Sequence, residues 1–393
     1  MSPNFKDRSN WQVRVVAPSQ LTDRDVSDWN SLRAAHPEYD SPLLSPAFAR
    51  LAGACRPDAR VGLISDERGL AAVLAFLIRP SGLGRPIGAP FSDYSGPVVR
   101  ANLPLSLSQI VSLAGLAGYR TQSLLDPWNR FAAERTGGTL SQLVRMQGLS
   151  DGDYLEQRRA EHPKRFKNFR RLESLMRRAG HEVHLRWGPL DGALRDRLYG
   201  FKSAQYRESG LVDLTFAPRA RALLDAVEAS PNGFQASVWS GDELVSADFG
   251  FREGTAFHPW IAAYNPEFAL YSPGNLLQKQ VIENMGAMGL DTYDLAEGHD
   301  HYKKYFTNSG RMIYSADVVA TGRRGWHLSA QGALWRAAGV DQEGSPARRL
   351  MRRADHAAVC FDSAAGRASD LLMALRKRGV SATVKSGHSA DAD

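Results

Sequence analysis

Along the first third of the chain, apolar runs bounded by proline and glycine predict strands at Trp11–Val16, Ala59–Ser65 and Gly69–Arg79. Two helical patterns lie between the first and second strands, from about Asp23 to His36 and over Ser45–Ala54, with Thr22 or Asp23 as the first cap. A glycine- and proline-rich stretch, GLGRPIGAPFSDYSGP from Gly82 to Pro97, follows. Helix Ser106–Gly118 and strand Gln122–Leu125 come next.

Near Asp151 the pattern restarts. A strand at His181–Trp187 leads to helices Leu190–Ser209 and Pro218–Ala229, then to strands Phe234–Trp239, Glu243–Arg252 and Thr255–Tyr264. Asp242 and the pair Glu253-Gly254 are turn signals between those strands. Helix Asn275–Met288, strand Thr292–Leu295 and strand Met312–Val319 complete the series. Both stretches place helices after a first strand and then a meander, so the order reads as a duplication. The expected class is α+β (α/β), with mixed sheets flanked by helices, in domains 1–150 and 151–320 and a tail over 321–393.

Composition excludes collagenous, mucin-like and disordered classes: 43% of the 393 residues are hydrophobic and 23% charged. The polar start MSPNFKDRSNW lacks the apolar core of a secretory signal, and the longest apolar run, Leu70–Ile78, is too short to span a bilayer. Cys55 and Cys360 are far apart with no CxxC spacing, which argues against a zinc ribbon or disulfide framework. A cytoplasmic protein is expected, with peripheral contact at the inner membrane left open.

Charge is localised. The net of +7 hides a helix, Gln157–Arg178, with nine Arg/Lys against Glu161 and Glu173, and a tail from 320 with 12 against 7. The remaining body sums to about −5 by the same count. In the helix Phe166, Phe169, Leu172 and Met176 recur at helical spacing, so one face packs and the other is cationic. That face is either a solvated surface or one that meets polyphosphate, nucleic acid or an anionic headgroup.

The chemistry concentrates between Phe257 and Tyr305. There a strand–turn–helix–strand pattern carries the helix start Tyr271-Ser272-Pro273-Gly274-Asn275, whose unpaired amides suit either a simple cap or a phosphate. It is neither a Walker loop nor GxGxxG. His299 and His301 with Asp294, Glu297 and Asp300 lack a third histidine at ligand distance, so no metal is expected. Cys55 has no paired histidine to make it a nucleophile. In the tail, Arg348, Arg349, Arg352, Arg353 and Asp355 form RxxxR and RxxD spacings. These could hold a cyclic dinucleotide such as cyclic di-GMP, or form a cationic helix against membrane lipid.

The runs WIAAYNPEFALYSPGNLL, YDLAEGHDHYKKYF, FKSAQYRESG, SPAFARLAGACRPDARV and FSDYSGP together resemble the CelD/FemAB-like acyltransferases of the GNAT superfamily, over about residues 10–320. The resemblance implies two tandem GNAT-like domains with mostly antiparallel sheets. It also implies acyl transfer from acetyl-CoA or another acyl-CoA to an amino sugar or lipid-linked glycan in exopolysaccharide or holdfast synthesis. On that match Trp260, Ser272, Gly274 and Asn275 face the donor. Asp294 takes a proton from the amine, and Tyr302 supports the leaving thiolate or orients the sugar. Lys303, Lys202, Gln205 and Tyr206 line the acceptor side, and Asp93 and Tyr94 meet sugar hydroxyls. The usual Gln/Arg-x-x-Gly-x-Gly/Ala donor signature is absent. Two alternatives stay open: a FemAB-like aminoacyl-tRNA donor held by the 157–178 helix, and a non-catalytic, ligand-responsive binding protein. No DNA partner is expected.

Overall fold

The computed structural model describes residues 10–298, 303–340, 342 and 345–370. The first half runs β1 (Gln12–Val16), α1 (Asp23–Ala34), α2 (Pro46–Cys55), β2 (Ala59–Asp66), β3 (Gly69–Ile78), β4 (Leu83–Pro86), β5 (Val98–Val99), α3 (Leu107–Leu113), β6 (Gly118–Leu125) and β7 (Arg135–Arg145). Thr22 caps α1: its hydroxyl accepts the Asp25 N–H while the Asp25 carboxylate accepts the Thr22 N–H.

The second half runs α4 (Asp151–Glu161), α5 (Pro163–Arg178), β8 (Val183–Gly188), α6 (Gly192–Ser209), α7 (Pro218–Glu228), β9 (Gly233–Ser240), β10 (Glu243–Glu253), β11 (Ala256–Tyr264), α8 (Pro273–Ile282), α9 (Met285–Met288), β12 (Thr292–Asp294) and β13 (Ser309–Val319). Two further helices, α10 (Trp326–Ala337) and α11 (Pro346–Cys360), end the described chain.

All of these strands belong to one sheet, in the order β1-β2-β3-β4-β6-β13-β7-β12-β11-β10-β9-β8, with β5 on β3. Each half contains one parallel pair joined across a helix, β4 with β6 and β11 with β12; every other pairing is antiparallel. The duplication in element order is therefore a duplication of topology as well. The halves do not close separately. β13, from the end of the second half, lies between β6 and β7, while β7, from the end of the first, pairs with β12. This exchange fuses two expected sheets into one.

Packing reinforces the exchange. The largest apolar cluster joins Phe48 and Phe91 of the first half to Phe251 and Ile261 of the second. On the opposite face of the second half, α5 and α8 close another cluster through Phe166, Phe169, Leu277 and Val281.

Several elements differ from expectation for identifiable reasons. The single basic helix breaks at His162, because Pro163 cannot donate within a helix but fits its first position. The strand β7 has no clear apolar alternation to announce it, because Gly137 and Gly138 dilute its pattern. The tail is not a detached segment: Val359 and Cys360 lie in the main core. Asp355 is paired with Arg79 at 3.0 Å and Arg85 at 2.6 Å, and Arg353 donates to Asp370 at 2.6 Å. Arg353 and Asp355 are thereby committed inside the fold and do not present themselves to a dinucleotide. Arg349 and Arg352 are exposed and Arg348 is half-buried.

Candidate active site

β11 and β12 are bonded only where Ala256 and Phe257 meet Thr292 and Tyr293; beyond that they separate. The next residues, His258 on β11 and Asp294 on β12, stand at the vertex of this fork. Past the vertex β11 bulges: Ile261 opposes Phe249 and Pro259 opposes Gly250, so Trp260 has no partner across the ladder. Gly250 is required there, since a Cβ would come within 2.1 Å of the His258 carbonyl oxygen and 2.6 Å of Pro259 Cα. Gly250→Ala is expected to cost about 1–3 kcal/mol by overpacking. A lowered urea midpoint, with the transition still single, is the readout.

A buried polar network fills the vertex. His258, with no exposed side chain, donates from Nε2 to Asp93 at 2.8 Å, and its Nδ1 lies 3.4 Å from Asp294. Asp294 is also buried and accepts from the Tyr94 hydroxyl at 2.9 Å, Arg311 at 2.8 Å and the Ala296 amide at 2.9 Å. Arg311 also donates to Asp40, which Arg145 holds at 2.7 Å. Tyr94 contacts Ser141 at 2.6 Å. These groups come from both halves, through the loop after β4 and through β7, β11, β12 and β13. The strand exchange assembles them.

The electrostatics follow from pairing. Burial alone would lower the His258 pKa, but the carboxylates of Asp294 and Asp93 outweigh it and raise it to about 9. Burial would raise that of Asp294, yet His258, Arg311 and the Ala296 amide bring it down to about 2. At neutral pH the vertex therefore holds an imidazolium between two carboxylates. Asp93 alone among the three reaches solvent, with 40% of its side chain exposed.

A second buried carboxyl lies on β10. Asp248 accepts from the Tyr293 hydroxyl, and burial raises it to about 6 despite that bond and the nearby Lys303 and Lys202. Because its folded pKa exceeds the ordinary 3.8, its contribution to stability is present below 3.8 and is lost as pH rises through about 6. Asp248→Asn is thus expected to stabilise the protein by about 1–3 kcal/mol above that range. Urea unfolding at acid and neutral pH would show the gain only at the higher pH.

The residues singled out from sequence fall into distinct places. Asp93, Tyr94 and Asp294 meet at the vertex. Asp294 and Tyr94 are both buried and bonded to one another, beneath the surface that an amine or a sugar would meet. Asp93 is the exposed end of their network. Trp260 packs its ring between Phe48 and Phe91, at 5.7 and 5.1 Å, so only its backbone bulge can face a donor. Lys202, on α6, donates to the Ala262 carbonyl of β11 at 3.0 Å and lies 5.2 Å from the Tyr206 ring. Burial, with Asp213, Cys360 and Asp93 adding, pushes the Tyr206 phenol upward; Gln205 is half-buried beside it. Lys303 donates to the Leu295 and Glu297 carbonyls at 2.8 and 3.3 Å, rather than waiting for an anion. Tyr302, with His299, Asp300 and His301, lies outside the described residues.

At the start of α8, Ser272 has left-handed backbone and its side chain caps nothing, Gly274 faces open space, and Asn275 Oδ1 is buried without a partner. α5 lies alongside, joined by Glu173 to Lys279 at 2.8 Å, with Lys164, Arg165, Lys167, Arg170, Arg171, Arg177 and Arg178 exposed. An uncapped helix start with room above it and cations beside it suits a phosphate-bearing donor.

Sequence comparison bears on the same region, from α5 across β12. Residues 163–304 match the acetyltransferase (GNAT) domain. The region from α5 across β12 thus matches a GNAT-type acetyltransferase domain. Among solved structures, FemX is similar with a TM-score of 0.50 at 11% identity, over 81% of this chain and 99% of that one, which shows a shared fold. The C-terminal domain of a putative lysylphosphatidylglycerol synthetase from Agrobacterium fabrum aligns with TM-score 0.44 and 12% identity, over 79% of this chain and 96% of that one. A tandem GNAT protein from the clavulanic acid biosynthesis pathway gives 0.40 and 10%, over 80% and 99%. No curated protein matches the chain.

The vertex is not contained in the matched region. His258 and Asp294 belong to it, whereas Asp93, Tyr94, Asp40 and Ser141 come from the first half and Arg311 follows the matched region. His258 and Arg311 were not anticipated. His258 sits between Phe257 and Pro259 in an apolar strand, where a histidine reads as core, and Arg311 lies near the start of a strand whose partners are far away in sequence.

Proposed function

We propose that the chain is an N-acyltransferase that moves an acyl group from a coenzyme A thioester to a primary amine on a sugar or lipid-linked glycan, in bacterial exopolysaccharide synthesis. The single observation that carries this reading is Asp93, a carboxylate exposed at the fork of a GNAT domain and fixed by a buried imidazolium.

The thioester supplies an activated carbonyl. Ser272, Gly274 and Asn275 would hold its phosphates, with the cations of α5 nearby, and the Trp260 bulge would lie along its arm. Asp93 attracts the acceptor's ammonium; once that has shed one proton to solvent, the amine attacks and Asp93 accepts the second as the C–N bond forms. The C–S bond breaks, and Asp93 passes that proton to the departing thiolate, so amide and free thiol are the products. His258 holds Asp93 by its Nε2–H, and Asp294 and Arg311 hold His258; these are positioning residues. Lys202, Gln205 and Tyr206, on α6 beside β11, would bound the acceptor.

Isothermal titration with acetyl-CoA and longer acyl-CoAs tests the donor. Saturable binding, weakened by Gly274→Trp, is expected. Absence of binding to every acyl-CoA would sink the donor assignment.

A further inference from the structure

α10 presents an apolar stripe to solvent. At helical spacing Trp326, Ala330, Ala333, Leu334 and Ala337 share one face, and all are exposed. Trp326 is 69% exposed and Leu334 73%, the highest value for a large apolar side chain among the described residues. The helix is nevertheless anchored from behind: His327 contacts the Ser81 carbonyl at 2.8 Å, and Leu328 packs close to Gly118. It is a docked helix whose outer face is the apolar one, the reverse of what burial in water favours.

Its charge is one-sided. From residue 318 to residue 340 the sequence has three arginines, Arg323, Arg324 and Arg336, and no acidic residue. All three arginines are exposed, two at the start of the helix and one near its end. A tryptophan and a leucine amid cations match the anionic headgroup layer of a bilayer, where an indole ring sits at the interface and arginines meet phosphate.

We propose that the outer face of α10 docks the protein on an anionic lipid surface, bringing the fork to a membrane-borne acceptor. Among the described residues no helix is long and apolar enough to cross a membrane, so the contact is peripheral. The surface is independent of the donor assignment, and its failure would leave the reading of the fork untouched.

The test uses the full chain with vesicles of phosphatidylcholine alone and with phosphatidylglycerol added. Cosedimentation with the anionic vesicles, reversed by salt, is expected, and the double variant W326E/L334E should lower the partition coefficient about tenfold. Both positions are exposed, so an unchanged thermal midpoint would confirm that the variant folds. No cosedimentation, or equal cosedimentation of the variant, would overturn the proposal. So would a wild-type dimer in sedimentation velocity that the same variant dissociates, because the face would then be a contact between copies.

Discussion

Asp294→Ala is expected to lower the unfolding free energy by about 3–5 kcal/mol, because it leaves His258 and Arg311 buried without their shared counter-charge. Pairing at this vertex should also shape the pH dependence. His258 is raised above its ordinary 6.5 to about 9, so its protonated form contributes stability that is complete below 6.5 and lost as pH rises through about 9. Asp294 is depressed from 3.8 to about 2, so its contribution is complete above 3.8 and lost as pH falls through about 2. Urea midpoints of the wild type should therefore decline on the alkaline side, and His258→Gln should remove most of that decline. A decline of equal size in the variant would show that His258 is not an imidazolium in the folded protein.

Asp93→Asn is expected to reduce turnover by about 100- to 10,000-fold while leaving the fold intact. Its side chain is partly exposed, and asparagine can still accept the His258 N–H through its amide oxygen. The loss should appear in kcat more than in donor binding, since nothing places Asp93 against the start of α8. His258→Gln should give a smaller loss, because it disturbs the position of Asp93 without removing the carboxylate. If Asp93→Asn kept full turnover, proton transfer would have to pass through a group other than Asp93.

What could be read from the sequence was what is local. The meander β9–β11, the cap of α1 and the packed face of α5 each follow from neighbouring residues, and so does the start of α8. Asp93, Tyr94 and Asp294 were recognisable as polar residues at a loop and a strand end, yet which of them lies at the surface was not. Whether a carboxylate touches substrate or sits beneath it depends on what covers it. Here the cover of Asp294 comes from Tyr94, about 200 positions away. Arg311 and Ser141 reach the vertex only because β13 and β7 change places, a pairing that no spacing in the chain announces. The tail shows the same dependence: in a string of letters Arg353 and Asp355 belong to one cationic motif, while in the fold their partners are Asp370, Arg79 and Arg85.

The most direct test of the central claim is an acyl-transfer assay with radiolabelled acyl-CoA and a panel of amino sugars and lipid-linked amino sugars, comparing wild type with Asp93→Asn. The account predicts a labelled amide product with the wild type and a loss of at least about 100-fold with the variant. Transfer that proceeds equally well without the Asp93 carboxylate, or label that never moves from any acyl-CoA to an amine, would contradict it.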